Sequence, residues 1–306
     1  MSILVTSVGT KVPLIECLKT FVSTEIIGCD LYSNVLSTYF LNDFFVVPKL
    51  EEVEINHFIE QCKKYKVRYI LPTREADLLY FSSRKHLFTV NNIDVWSSSM
   101  EVIEKVNDKL LFSKLLLNKN LSVIPSFQNT EGCQSKSFVL KERYGAGSRN
   151  IFIDLSKEDV LKKKSLLQYP IIQPYIKGKE YSIDIYITKT KKVKAVVVRK
   201  RTLVIDGESQ ITEIVHHTRL EALISEAALA LNLEGHVMFQ AIEDENGELW
   251  IVECNARIGG ASTLSIYAGL DTFNWWIAEC NGENIDDWPV NIKKLKQVRY
   301  KKDLIL

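Results

Sequence analysis

The residues most able to do chemistry lie late in the chain, in Ile251-Val252-Glu253-Cys254-Asn255-Ala256-Arg257-Ile258-Gly259-Gly260. This segment reads as a strand running into a glycine turn. A strand repeats every two residues, so Glu253, Asn255 and Arg257 share one face. A carboxylate and an amide oxygen at that spacing suit a hard divalent cation; Mg²⁺ usually takes one or two carboxylates and completes its shell from water and phosphate. The guanidinium suits a transferring phosphoryl group. Gln240 lies on the strand expected to pair with this one through the turn Glu245-Asn246-Gly247, and it offers a further oxygen to the same place. The plain alternative is an edge strand with its polar residues in water; the arginine and the twin glycines weigh against it.

Two further segments carry less specific signals. In Phe138-Val139-Leu140-Lys141-Glu142-Arg143-Tyr144-Gly145-Ala146-Gly147-Ser148 a strand ends in a lysine and a small-residue loop follows. Such a loop lets backbone N–H groups and the Ser148 hydroxyl approach an anion, and Lys141 would neutralise phosphate charge. A lysine beside a glycine loop is also a common hairpin, and the spacing is not that of a Walker loop. In Gln173-Pro174-Tyr175-Ile176-Lys177-Gly178-Lys179-Glu180 exposed main chain beside apolar side chains could recognise a purine edge, with Glu180 accepting from ribose hydroxyls. Taken alone, that segment is a plain inter-strand loop.

The elements that must position these residues follow from hydrophobic period and turn chemistry. Strand signals at 3–8, 25–29, 67–71 and 93–96 alternate with helical periods at 12–22, 55–65 and 78–88, which implies an open parallel α/β sheet over the first hundred residues. Ser98 or Ser99 and then Asp108 can cap two joining helices. Beyond them strands are expected at 137–141, 150–154, 171–175, 180–188, 193–199, 237–242 and 249–254, with hairpin turns at Lys191-Lys192 and at 245–247. Two convincing helices interrupt them, at 156–164 and 220–232, so the back half is α+β with largely antiparallel sheet.

Composition narrows the function. Over 306 residues, 46% hydrophobic and 25% charged content excludes wholesale disorder. The 39 Lys+Arg against 38 Asp+Glu provide no long-range field for nucleic acid or anionic lipid. Six scattered cysteines without a Cys-x-x-Cys pair read as reduced thiols. No basic leader is present and no apolar run approaches the roughly 18 residues of a spanning helix, so a cytoplasmic protein is expected. His216-His217 would point to opposite faces of a strand, Trp275-Trp276 reads as core or interface, and the lysine runs at 162–164 and 293–294 as solvated faces. Val8-Gly9-Thr10 lacks the Gly-x-Gly-x-x-Gly pattern of a dinucleotide site.

Taken in order, the three segments resemble the ATP-grasp superfamily over roughly residues 1–288, and within it the carbamoyl-phosphate-synthetase-like branch that includes the pyrrolysine-biosynthesis ligase. The resemblance implies a pre-ATP-grasp α/β domain with a parallel sheet at 1–100 and an ATP-grasp domain at 101–306. Within the latter, a small mobile lid would span about 126–175 and the remainder would form the C-terminal subdomain. It further implies a ligase that converts a small-molecule carboxylate to an acyl phosphate with ATP and lets an amine displace the phosphate. Lys109 and Lys141 would contact nucleotide phosphates, with Lys141 and Arg257 catalytic. Gly145, Ala146, Gly147 and Ser148 would form the phosphate-covering loop, Gln173, Pro174, Tyr175 and Ile176 the adenine hinge, and Glu180 the ribose-binding acid. Gln240, Glu253 and Asn255 would hold two Mg²⁺, with Mn²⁺ a substitute. Arg74, Arg199, Arg201, Gly259 and Gly260 are the candidate substrate contacts. Two positions depart from the family pattern: Glu142 replaces the usual proline and Gln173 the usual glutamate. The partners implied are small-molecule carboxylate and amine, with no nucleic acid and no membrane; a homodimer is compatible. Competing expectations are a carboxylate kinase, a ligase with a non-amine nucleophile, and a non-catalytic ATP-binding regulatory protein.

Overall fold

Short β-branched strands alternating with amphipathic helices build a five-stranded parallel sheet from the first hundred residues. The computed structural model describes residues 1–145, 150–205 and 207–305, the side chain of Glu51 excepted. The front sheet is formed by β1 (Ser2–Thr6), β2 (Glu25–Asp30), β3 (Asp43–Val46), β4 (Val67–Leu71) and β5 (Asp94–Val95), in the order β3-β2-β1-β4-β5. Its helices are α1 (Val12–Phe21), α2 (Ile55–Lys64), α3 (Glu75–Ser83) and α4 (Lys85–Thr89). The single helical period expected at 78–88 is broken at Arg84 into α3 and α4. The short edge strand β3 is not among the expected strands, although its run Phe44-Phe45-Val46-Val47 ahead of Pro48 is made of strand-forming residues.

Two joining helices follow, α5 (Met100–Asn107) and α6 (Lys109–Leu117). Asp108 caps α6 as expected, its Oδ1 accepting from the Leu110 and Leu111 N–H groups at 3.1 Å each. Next comes a three-stranded antiparallel sheet of β6 (Phe138–Glu142), β7 (Phe152–Leu155) and β8 (Pro170–Pro174), backed by α7 (Lys157–Lys163). It has its own small core around Cys133, Leu140, Val160 and Ile172.

The largest layer has six strands: β9 (Gly178–Ile187), β10 (Val193–Ile205), β11 (Glu208–Val215), β12 (Gly235–Asp244), β13 (Leu249–Asn255) and β14 (Lys296–Val298), in the order β13-β12-β9-β10-β11-β14. All its pairings are antiparallel. One face carries Tyr181, Ile183, Ile185 and Phe239 into a core shared with α8 (Thr218–Ala230) and the joining helices. The other face is covered only at one end, by α9 (Thr263–Tyr267) and α10 (Thr272–Cys280), and open at the other. Two convincing helices are expected in the back half, and a further apolar one after Asp271 that holds Trp275-Trp276; among the described residues α7, α8 and α10 answer to these, while the five-residue α9 is too short to show a stripe. Strand β11 is also unanticipated, because Glu208, Gln210, Thr212 and Glu213 hide its alternation.

The same core that holds α9 and α10 on this sheet includes α1 and the front sheet, through Ile15, Leu18, Tyr69, Trp96, Phe273 and Trp276. Trp96 and Trp276 lie 4.5 Å apart between ring centroids. Trp276 therefore bridges front and back, and Trp275 packs on Tyr186 of the large sheet, so both are core residues as the sequence suggests. The six cysteines are free, five of them buried. Among the described residues no helix is long and apolar enough to cross a membrane.

Candidate active site

Strand pairing places the chemistry in a line. Glu253 on β13 sits opposite Gln240 on β12, Gln240 opposite Ser182 on β9, and Ser182 opposite Arg199 on β10. Residues directly opposite one another in a sheet point to the same side. That side is the open end of the large sheet, where all four line a cavity of about 520 Å³. The same cavity is lined by Lys109, Lys141, Gly145, Asn255, Arg257, Gly259, Gly260, Arg201 and Arg299. The late polar trio and the lysine-bearing strand β6 therefore face each other across one space.

A bulge sharpens this arrangement. Gln240 pairs with Glu253 but the next residue, Ala241, pairs with Ile251, leaving Val252 as the extra residue on β13. Bulges re-aim side chains. Here Val252 and Glu253 both line the cavity, while Ile251 and Cys254 go to the core on the other face. Asn255 Nδ2 donates to Glu253 Oε1 at 3.2 Å, so the amide and the carboxylate are side by side. The outer edge of β13 is not left in water: its Ile251 N–H donates to the Ser122 carbonyl and its carbonyl accepts from the Ile124 N–H, both at 2.9 Å. Beyond the strand, Arg257 Nη1 donates to the Ile258 carbonyl at 3.3 Å, and its buried Nε has no partner.

Opposite, Lys141 is only 4% exposed, and burial pushes its ammonium down to about 8, an effect that Glu253 partly counters and Lys109 reinforces. Lys109 Nζ donates to the Gly145 carbonyl at 2.6 Å, tying the start of the glycine loop to the joining helix. Gly145 has φ +106°, a conformation open to glycine. Ala146, Gly147 and Ser148 of the expected phosphate loop lie outside the described residues. The Arg143 guanidinium donates from Nε to Asp108 Oδ1 at 2.7 Å and from Nη2 to Oδ2, anchoring the end of β6 to the α6 cap.

The other sequence candidates divide. Gln173 is buried on the face of the small sheet that also carries Lys141, since Lys141 pairs with Ile171 and Val139 with Gln173, and its Nε2 donates to Ser126 Oγ at 2.9 Å; the Tyr175 N–H is taken by the Ser137 carbonyl at 3.0 Å. Pro174, Tyr175 and Ile176 are not among the cavity-lining residues. Glu180 is held by Arg201 Nη1 at 2.7 Å, and Arg201 Nη2 donates to the Gly207 carbonyl at the same distance. Arg74 is not among the cavity-lining residues, its Nε lying 3.3 Å from the buried carboxylate of Asp77. Gly259 is closely packed: a Cβ there would lie 2.9 Å from Ser262 Oγ and 3.1 Å from Met238 Cε.

Sequence reading missed Ser182, Met238, Glu208 and Arg299 as lining residues. Ser182 has the same strand phase as Gln240 and would have emerged from a correct β9–β12 register. Arg299 carries no such signal; it follows the three-residue β14 and reaches the site by donating to Glu208 at 2.6 Å and to the Gly260 carbonyl at 2.8 Å. Adjacent His216 and His217 do not chelate: His217 Nδ1 accepts from the Leu220 N–H at the start of α8, and His216 faces Glu221.

A parallel α/β front, an antiparallel back and a small antiparallel sheet facing it across a cation-lined cavity together define an ATP-grasp architecture. Two family models match separate parts of the chain. Residues 167–303 match a family model described as "ATP-grasp in the biosynthetic pathway with Ter operon", and residues 3–96 match one described as "PylC-like, N-terminal domain". No curated protein sequence matches the chain. Among solved structures, the biotin carboxylase of Campylobacter jejuni, crystallised with a β,γ-ATP ligand, aligns with a TM-score of 0.75 at 15% identity, over 95% of this chain and 73% of that one. N5-carboxyaminoimidazole synthetase from Staphylococcus aureus aligns with a TM-score of 0.70 at 14% identity, over 92% of this chain and 77% of that one. The biotin carboxylase domain of the Hydrogenobacter thermophilus 2-oxoglutarate carboxylase, a dimer with MgADP and bicarbonate, gives 0.74 at 14%, over 95% and 72%. At these identities the likeness is one of fold.

Proposed function

We propose that the protein is an ATP-dependent, ADP-forming ligase that activates a small-molecule carboxylate as an acyl phosphate and couples it to an amine. The observation that carries this reading is the convergence of Lys141, Gln240, Glu253, Asn255 and Arg257 on one cavity. The ATP-grasp family match of the back half supports it.

The donor set fits Mg²⁺ delivered with a nucleotide and not a stand-alone metal. Among the described residues no group of three His, Cys, Asp or Glu converges, whereas one carboxylate flanked by two amides leaves most of the shell to phosphate and water. Glu253, Gln240 and Asn255 would hold one or two Mg²⁺; Mn²⁺ has the same ligand preference. When bound, the metal neutralises phosphate charge.

The rest is done by the chain. Attack of a carboxylate on a γ-phosphate brings anions together, so the protein must position them and cancel charge. Lys141, buried and facing Glu253, offers its ammonium to the phosphates from the β6 side, and Lys109 does so from the joint. Arg257, with an unspent Nε, offers donors to the oxygens that gain charge during transfer. Gly145 to Ser148 would cover the phosphates and keep water from the acyl phosphate until the amine arrives. Gln173 to Ile176 and Glu180 are assigned to adenine and ribose on the family resemblance.

The test is a coupled ADP-release screen of amino acids and other small acids with Mg²⁺, each hit repeated without an added amine. ADP formation that needs both substrates supports the ligase. ADP formation with the acid alone makes it a carboxylate kinase, and tight nucleotide binding with no turnover on any acid makes it a regulatory ATP binder.

A further inference from the structure

Directly beneath the cavity lies a buried polar network that the nucleotide does not account for. Asp184, His236, Ser262, Ser265 and Thr272 have no solvent exposure and Arg199 has 1%. The Asp184 carboxylate is saturated with donors. Oδ2 accepts from Arg199 Nε at 2.6 Å and from the Ser265 hydroxyl, and Oδ1 accepts from His236 Nε2 at 3.0 Å and from the Ser262 hydroxyl. Because a carboxylate only accepts, His236 Nε2 carries a proton, and Nδ1 is hydrogen-bonded with Thr272 Oγ1 at 3.1 Å. Burial alone would raise the Asp184 carboxyl, but Arg199 and His236 beside it hold it well below the usual carboxylate range.

Every member of this network is satisfied except one. Arg199 Nη1 is buried without a hydrogen-bond partner, and Arg199 lines the cavity. Of the other cavity arginines, Arg201 spends its donors on Glu180 and Gly207 and Arg299 on Glu208 and Gly260, while Arg257 keeps a free Nε beside the nucleotide-side residues Glu253 and Asn255. An unmet guanidinium donor in a buried site costs free energy unless a ligand meets it. Arg199 also stands in the cross-strand row of Gln240 and Glu253, on the strand two removed from β12.

We propose that Arg199 Nη1 binds a carboxylate oxygen of the acid substrate, and that Asp184 and His236 are the positioning residues that fix the guanidinium. This rests on the ligase reading for its choice of ligand. It assigns the substrate's acid group to β10, separate from the nucleotide ligands on β6 and β13. Asp184 orients Arg199 through Nε, and His236 and the two serines hold Asp184 by occupying its other lone pairs.

The test uses the full chain with acetate as the carboxylate probe, read by saturation transfer to the acetate methyl group. Titrations are run with and without Mg²⁺ and a non-hydrolysable ATP analogue. Arg199→Gln is expected to weaken acetate binding about tenfold or more, Arg199→Lys by less, and neither to change affinity for the analogue. Since Arg199→Gln leaves a buried carboxylate without its cation, the paired variant Asp184→Asn/Arg199→Gln keeps the site neutral and is expected to show the same loss. His236→Leu should weaken acetate severalfold and His236→Gln, which keeps a donor, should recover part of it. Acetate affinity unchanged in the paired variant would overturn the Arg199 assignment, and unchanged affinity in His236→Leu the positioning role. Failure of the wild-type chain to bind the ATP analogue would remove the ligase reading instead, and the acetate series without nucleotide reads Arg199 independently.

Discussion

At Arg257 the guanidinium reaches the cavity with its Nε buried and unpaired, beside the carboxylate and amide that would hold the metal. A donor kept free in the resting protein is one that can act when charge develops. Arg257→Ala is therefore expected to slow ADP release by about 10²-fold or more while leaving affinity for an ATP analogue nearly unchanged; equal turnover in the variant refutes the assignment. Lys141 makes a different prediction. Its ammonium is pushed down to about 8 by burial, and bound phosphate favours the charged form, so the complex holds a proton that the free protein loses above that pH. Nucleotide affinity should fall as pH rises through about 8, with proton uptake on binding. Calorimetry at pH 8.5 in two buffers of different ionisation enthalpy measures that uptake, and Lys141→Arg should abolish it.

The elements show what sequence could and could not reveal. Strand β4 occupies the span its β-branched run predicts, and the β12–β13 hairpin was legible from alternation plus Glu245-Asn246-Gly247, where Gly247 adopts φ +80°. Gln240, Glu253, Asn255 and Lys141 could be found because each lies on a well-marked strand. The Val252 bulge, the partnering of Ser122–Ile124 with β13 and the approach of Arg299 could not, because tertiary pairing sets them and no local period encodes them. The turn after β13 depends on such a contact. Its Gly259 N–H donates to Ser262 Oγ at 2.9 Å, the hydroxyl that also serves Asp184. Gly259→Ala would push Ser262 and Met238 away and is expected to cost about 1–3 kcal/mol, seen as a lowered unfolding midpoint together with weakened acetate binding. A loss of stability with acetate binding intact would separate the turn from the Arg199 site.

Across the whole molecule, the hydrophobic cores are unequal partners. The β6–β8 sheet has a small core of its own, while the front sheet and the large sheet share one through α1, α9 and α10. Binding Mg²⁺ with an ATP analogue should slow hydrogen exchange over β6–β8 more than over β1–β4, since the smaller sheet has few contacts to lose on opening. Trp276, packed on Trp96 and Tyr69, joins the halves. Trp276→Ala is expected to cost about 3–5 kcal/mol and to shift a single melting transition; two separated transitions would show that the halves unfold independently.

That shared core has a consequence for synthesis. Residues 272–280 of α10 seal a surface begun by β1 and α1, so they leave the ribosome some 250 residues after the helix they cover. At about 5–20 residues per second, the front sheet waits on the order of ten to fifty seconds with Tyr69 and Trp96 uncovered. A nascent chain stalled before residue 272 should therefore be a strong client for holdase chaperones, and release from them should coincide with emergence of the tryptophan pair.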